Sequence, residues 1–301
     1  MNILVTGGSG FIGRNIVNLL KEEGNTVATL DIKDKNSVAD YHIMSDVRNL
    51  HTVQNACKGM DYVFHLAAVT SPPEFENPLS EGYSVNVLGT YNVLAASATS
   101  GVRRVILASS SSVYGSMSKP AKEDCLIDSF SNFYPLSKRI NEMTAVFFLN
   151  YNLETVCLRY FNTYGIGENS KGAYSSVIWK FIESIKRGKT PEIYGDGRQS
   201  RDFVYVGDTA RASIMAMKKG KPGEIYNVGT GITTDFNEIF NVVKKASGFK
   251  GEEQHVPNPL KSYQNFTQAD MSKTREELGF LPDYDIARGV TEILDSFSGE
   301  K

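Results

Sequence analysis

The chain has 301 residues, 41% of them hydrophobic and 22% charged, with a formal net charge of −2; this is the composition of a globular protein with a large core. No basic excess marks a nucleic-acid or anionic-membrane partner, and no apolar run reaches the ~20 residues of a membrane span. Cys57, Cys125 and Cys157 fit no zinc or disulfide-scaffold spacing, and the opening Asn2-Ile3-Leu4-Val5-Thr6 reads as a strand rather than a signal peptide, so a reducing cytoplasm is the expected setting.

In chain order, residues 3–6 predict a buried strand. A helix over 12–22 follows, with Ile12, Ile16, Leu19 and Leu20 at helical spacing. Gly24-Asn25 ends it, and 26–31 is the next strand. Further strands are expected at 62–67 and 105–108, separated by helices near 50–58, 85–100 and 135–150. Strands joined by helical crossovers imply a parallel sheet covered on both faces, and Tyr62-Val63-Phe64 and Val105-Ile106-Leu107 lack the polar alternation of a half-exposed strand. Beyond Gly165 the texture turns to Gly, Lys, Pro and Asn with shorter elements. The expected organisation is a parallel-sheet domain over 1–164 and a smaller α/β lobe over 165–301, with segments 201–228 returning to the sheet.

Thr6-Gly7-Gly8-Ser9-Gly10-Phe11-Ile12-Gly13 lies between the first strand and the first helix. Glycines there permit a tight turn, backbone approach to a pyrophosphate and close strand–helix packing. The helix N-terminus offers free N–H groups to the phosphates. Asp31 closes the second strand about 20 residues on, where a carboxylate accepts ribose hydroxyls. It would repel a 2′-phosphate and favour NAD over NADP, a preference that Lys33 and Lys35 soften.

Two later stretches suggest chemistry. Val105 to Gly115 places Ser109, Ser110, Ser111 and Ser112 just past a strand end, where open α/β sheets bind ligands. Tyr134-Pro135-Leu136-Ser137-Lys138 sets a phenol four residues before an amine, and the two share a helix face if Pro135 lies in the first turn. An adjacent ammonium and a nicotinamide cation would both lower the phenol's pKa, and a serine hydroxyl could hold the substrate oxygen while Tyr134 exchanges its proton.

These pieces resemble the extended short-chain dehydrogenase/reductase family of nucleotide-sugar epimerases and dehydratases. The resemblance rests on Thr6 to Gly13, His65-Leu66-Ala67-Ala68, Asn86, Ser109 to Gly115, Tyr134 with Lys138, and Leu158 to Gly165. It continues through Gly195 to Val206 and Tyr226 to Gly229. It implies a Rossmann-type doubly wound parallel sheet with a smaller C-terminal substrate lobe, an NAD cofactor, a nucleotide-sugar substrate and a homodimer. It makes Ser110, Tyr134 and Lys138 catalytic. Gly7, Gly10, Phe11, Ile12, Gly13, Asp31, Asp46, Val47, Leu66, Ala67, Ala68, Asn86 and Phe161 would line the cofactor with Tyr134 and Lys138. Asn162, Lys171, Val177, Tyr194 and Arg201 would join Ser110 at the substrate. The competing roles are a turn-capping amide for Asn162, a surface salt bridge for Arg201 and core packing for Tyr194. The dimer would form through the helices at 85–100 and 135–150, where Val146, Phe147 and Phe148 are expected on the outer face unless they pack in the core. His65 is expected to orient backbone at its strand end and His255 lies in a loop, so no metal is assigned.

Two departures narrow the reaction. Family dehydratases carry an Asp-Glu pair after the catalytic hydroxyl residue, but this chain has Ser111 and Ser112; the resemblance therefore favours reversible oxidation, the epimerase route. In the tail, Pro259 to Gln264 lacks the arginine common in UDP-hexose 4-epimerases, unless Lys261 substitutes. That tail, with Lys171 to Val177, is similar to ADP-glycero-manno-heptose 6-epimerases, where Lys171 would be a second acid/base. His65 to Ala68 has the 4-epimerase form, and a UDP-glucose/UDP-galactose 4-epimerase is the favoured reading; there Lys171 would be an exposed loop charge. The same motifs would also suit a nucleotide-sugar reductase or dehydrogenase, or a non-catalytic NAD-binding protein.

Overall fold

Along β1 (Asn2–Thr6), Ile3 and Val5 point into one apolar layer and Leu4 into another, and all three are fully buried. A strand of period two with both sides apolar belongs inside a sheet covered on both faces. The computed structural model describes all residues except 35–36, 71–74, 76–78, 126, 128, 131, 260–263 and 298–301. Lys35 and Lys261 therefore lie outside the described residues.

After β1 come α1 (Phe11–Glu22), β2 (Thr26–Asp31), β3 (Tyr41–Met44), α2 (Leu50–Cys57) and β4 (Tyr62–His65). A π-helical turn, Ser84–Leu88, leads into α3 (Gly89–Thr99), followed by β5 (Arg104–Ser110), α4 (Phe133–Phe147) and β6 (Glu154–Tyr160). The second half holds β7 (Asn162–Tyr164), α5 (Val177–Lys186), β8 (Glu192–Tyr194), β9 (Ser200–Arg201), β10 (Phe203–Tyr205) and α6 (Val206–Lys219). It ends with β11 (Ile225–Val228), β12 (Thr234–Asp235), α7 (Phe236–Ser247), β13 (Gln254–Val256), α8 (Ser272–Leu278) and α9 (Ile286–Ser296).

Seven strands form one parallel sheet in the order β11-β6-β5-β4-β1-β2-β3. The strand order reverses direction between β1 and β4, and a crevice opens there outside the carboxyl ends of the strands. One face packs α1 against α6 over Ile3, Val5, Ile16, Leu20 and Met217; the other packs α2 and α3 over Leu4, Val53, Val93 and Leu107. Each such fully buried side chain contributes roughly 1.5–3 kcal/mol. Phe148 joins the second layer, 5% exposed, so it is core rather than the outer-face residue that the sequence suggests; its neighbours Val146 and Phe147 are 43% and 53% exposed.

A third apolar cluster gathers Ile178, Phe181, Phe203, Phe240 and Val290 from α5, β10, α7 and α9. Phe11, from the first turn of α1, belongs to this cluster and is 6% exposed. The glycine turn is thus tied to this third cluster through one aromatic ring.

The turn itself tolerates no added atom at Gly13. A Cβ there would lie 2.1 Å from the Gly7 carbonyl oxygen, so α1 must move off the turn if a methyl is introduced. Gly13→Ala is expected to destabilise the fold by about 1–3 kcal/mol and to weaken dinucleotide binding, read by thermal denaturation with and without NAD; unchanged midpoints in both would show that the helix seat is looser than its geometry.

Candidate active site

A cavity of about 1140 Å³ lies over the strand ends, at the large end for a single small-molecule site and roomy enough for two ligands. Gly7, Gly10, Phe11, Ile12 and Gly13 form one part of its wall, with Leu66 and Ala68 beside them. Ser110, Tyr134, Lys138 and Phe161 line it with them, and so do Asn162, Lys171, Val177, Tyr194 and Arg201.

The residues of the wall fit a dinucleotide. No side chain caps the N-terminus of α1 at Gly10, so its first N–H groups and dipole are available to a pyrophosphate. Gly7 has φ +72°, and a Cβ on it would meet the Ala67 nitrogen at 2.6 Å. Asp31 ends β2, with its carboxylate accepting from the backbone N–H groups of Ser9 and Lys33, both at 3.0 Å. Asp31 is not itself on the cavity wall, but Ile32 and Lys33 are.

Some expected cofactor residues act from behind the wall. Asn86 is fully buried; its Oδ1 accepts from the Val69 N–H and its Nδ2 donates to the Val69 carbonyl and to Ser137 Oγ. It ties the loop after β4 to α4. Asp46 and Val47 are likewise off the wall: Asp46 chelates Arg48, whose hydrogen bonds hold its carboxyl below the usual range, and Val47 packs under Gly89.

His65 is also off the wall. Its Nε2 donates to Thr90 Oγ1 at 2.9 Å, because that hydroxyl already donates to the Asn86 carbonyl. Its Nδ1 then accepts from Thr6 Oγ1 at 2.7 Å. The ring bridges two hydroxyls rather than the backbone, and burial, helped by Lys138, pushes its pKa down to about 3. No three His, Cys, Asp or Glu side chains among the described residues converge as metal ligands.

Helix α4 starts one residue before Tyr134, capped by Asn132, whose side chain accepts from the Tyr134 N–H. Pro135 therefore falls in the first turn, and Tyr134 and Lys138 face the cavity together; the Lys138 nitrogen sits 5.9 Å from the Tyr134 ring centroid. Lys138 is 4% exposed and donates to the Ala108 carbonyl at 2.9 Å, and burial draws its pKa down to about 8. The Tyr134 phenol bonds Ser110, but burial outweighs that bond and holds the phenol above its ordinary value. The sequence expectation of a lowered value counted an amine and a nicotinamide cation; in the protein alone, desolvation prevails. Ser110 Oγ also accepts from the Ser112 N–H at 3.1 Å, leaving further capacity for a substrate oxygen.

The substrate-side residues divide by what already holds them. Asn162 donates through its amide to the Asp202 carbonyl and Thr267 Oγ1 while remaining on the wall. Arg201 is 8% exposed, so it is no surface salt bridge; it donates to the Ser200 and Gln264 carbonyls and lies over the Phe236 ring. Lys171 is not the exposed loop charge that the 4-epimerase reading implied. Its nitrogen lies 2.8 Å from fully buried Glu168, 3.4 Å from the Thr163 carbonyl and 5.0 Å from the Phe11 ring centroid. Glu168 also accepts from Ser176 at the N-terminus of α5. Glu142, Arg159 and Ser109, to which no sequence motif assigns a role together, form a buried polar cluster beneath the cavity.

Residues 3–229 match the NAD dependent epimerase/dehydratase family. A Methanocaldococcus jannaschii protein, provisionally named a UDP-glucose 4-epimerase, is 36% identical over 97% of both chains. Among solved structures, the UDP-glucose 4-epimerase of Thermotoga maritima with UDP-glucose superposes with a TM-score of 0.92 at 31% identity over 99% of each chain. The UDP-N-acetylglucosamine 4-epimerase of Methanobrevibacter ruminantium, in complex with UDP-N-acetylmuramic acid, gives 0.92 at 30% identity over 100% of this chain and 99% of that one. The chain belongs to the NAD dependent epimerase/dehydratase family, with NAD as cofactor and nucleotide-sugar epimerisation as its class of reaction.

Proposed function

We propose that this chain is a UDP-glucose/UDP-galactose 4-epimerase working in the cytoplasm as a homodimer. The observation that carries the reading is the convergence of Ser110, Tyr134 and Lys138 on one cavity, with serines at 111 and 112 in place of an acid–base pair for water loss. Its likeness to two enzymes named for UDP-glucose supports the choice of sugar.

NAD, when bound, supplies the hydride acceptor and returns the hydride. Gly7, Gly10 and the first turn of α1 would hold its pyrophosphate, and Asp31 its adenosine ribose. Ser110 holds the sugar hydroxyl, and Tyr134 takes its proton and later gives it back. One phenol serves both halves, because the same oxygen is deprotonated and reprotonated as the keto sugar turns over. Lys138 would hold the nicotinamide ribose and favour the phenolate through its charge. Arg201 and Asn162 would hold the diphosphate, with Lys171 as an anchored cation beside Phe11.

For the dimer, Tyr91, Met143, Val146 and Phe147 on α3 and α4 leave an apolar face 43% or more exposed at each position, the kind of patch that marks association. Sedimentation is expected to give twice the chain mass, and a monomer at micromolar concentration would contradict this.

Tyr134→Phe is expected to keep NAD bound while turnover of UDP-galactose drops by roughly 10²–10⁴-fold. Lys171→Gln, in the same assay, is expected to raise KM with kcat within a few-fold of the parent. A kcat loss near 10²-fold there would make Lys171 an acid/base and favour the ADP-heptose 6-epimerase reading; no effect of Tyr134→Phe would sink both.

Titration of the apoprotein is expected to show tighter binding of NAD than NADP, because the Asp31 carboxylate opposes a 2′-phosphate. Equal or tighter NADP binding would show that Lys33 on the wall prevails.

A further inference from the structure

Glu142 lies on α4, one turn past Lys138 and two past Tyr134, and is fully buried. Its Oε1 accepts from Ser109 Oγ at 2.6 Å and Arg159 Nε at 2.8 Å; its Oε2 accepts from Arg159 Nη2 at 2.9 Å and Arg139 Nη1 at 3.0 Å. Ser109 and Arg159 stand opposite each other on β5 and β6. One carboxylate thus joins the helix that carries Tyr134 and Lys138 to the strand that carries Ser110 and, at Ala108, the carbonyl that receives the Lys138 ammonium.

Arg159 anchors the far side. It is 1% exposed, donates to the Glu123 carbonyl and lies 4.7 Å from the Tyr114 ring centroid. Tyr114 in turn donates to Asn227 on β11 at 2.7 Å. Burial pushes the Glu142 carboxyl up, but the Arg159 hydrogen bonds and charge, with Ser109 and Arg139, hold it below the usual range. It is therefore a fixed negative charge in a dry region, where charges interact strongly.

We propose that Glu142, braced by Arg159, is a positioning residue that sets where α4 sits on the end of β5 and supplies the counter-charge to the Lys138 ammonium. The proposal rests on the assignment of Tyr134 as acid and base. Burial lowers Lys138, and Glu142 opposes that shift. The other groups facing Lys138 are His65 from β4, Cys157 from β6 and Tyr134 on its own helix. His65 is held neutral by burial, and burial likewise pushes the Cys157 thiol up, so neither replaces the carboxylate.

The test reads the titration of the Lys138 ammonium in NAD-loaded protein, as the Cε resonance of the one lysine signal that Lys138→Met removes. With Glu142→Gln the ammonium loses its proton at lower pH, and its midpoint is expected to fall by roughly one unit. The same shift is expected in the Glu142→Gln/Arg159→Met pair, which also removes the buried guanidinium that the single variant leaves unpaired and so keeps the fold if the single variant loses it. Ser109→Ala cuts the link to β5 but leaves both charges; kcat for UDP-galactose is expected to fall roughly threefold or more, with KM and the midpoint unchanged. A parent midpoint in the folded Glu142 variants would overturn the counter-charge, and a parent kcat in Ser109→Ala would overturn the clamp. Either result leaves the role of Tyr134 to be decided by the turnover of Tyr134→Phe alone.

Discussion

An ammonium buried beside a strand end governs the arrangement of this site. Lys138 is almost without solvent and gives one hydrogen bond to the Ala108 carbonyl, the residue two before Ser110. A buried charge is costly unless it is paired and hydrogen-bonded, so the position of Lys138 constrains α4 and β5 together. Ser110 and Tyr134 meet because the elements that carry them are docked there. The parallel order of the sheet does the rest, by bringing the ends of β1, β4, β5 and β6 to one edge.

The second ligand side is attached to the first by few but buried contacts. Phe11 inserts from the cofactor turn into the apolar cluster of the smaller lobe, and Lys171 lies over the same ring while bonded to Glu168. Asp202 works similarly at the other side. Fully buried, it accepts from Thr230 and Gly231 after β11 and from Ala269 near α8. A movement of either lobe therefore disturbs backbone that reaches the cavity wall.

The sequence discloses what is local in period or spacing. The glycine turn, the end of β2 at Asp31 and the Tyr134–Lys138 helix face are set by neighbours within two turns of chain; the turn and the helix face line one cavity, with Asp31 just behind its wall. β3 is not legible that way because it is an edge strand with Tyr41 and Met44 exposed, so it lacks the apolar run that marks a buried strand. Phe148 is ambiguous because three apolar residues in succession on a helix cannot all face one way. The ion pair of Glu142 with Arg159 depends on which backbone ends up opposite which. Charge and spacing alone do not record that. The phenol of Tyr134 departs from expectation for a related reason: desolvation is a property of the folded surroundings, not of the pair.

The central claim is that one phenol and a recycled cofactor carry out both halves of the reaction. The direct measurement is to give NAD-loaded protein UDP-galactose, without added cofactor, and follow both UDP-glucose and NADH absorbance through many turnovers. Conversion to an equilibrium mixture with no accumulating NADH is the predicted result. NADH rising in step with sugar consumed would contradict the account and make the protein a dehydrogenase.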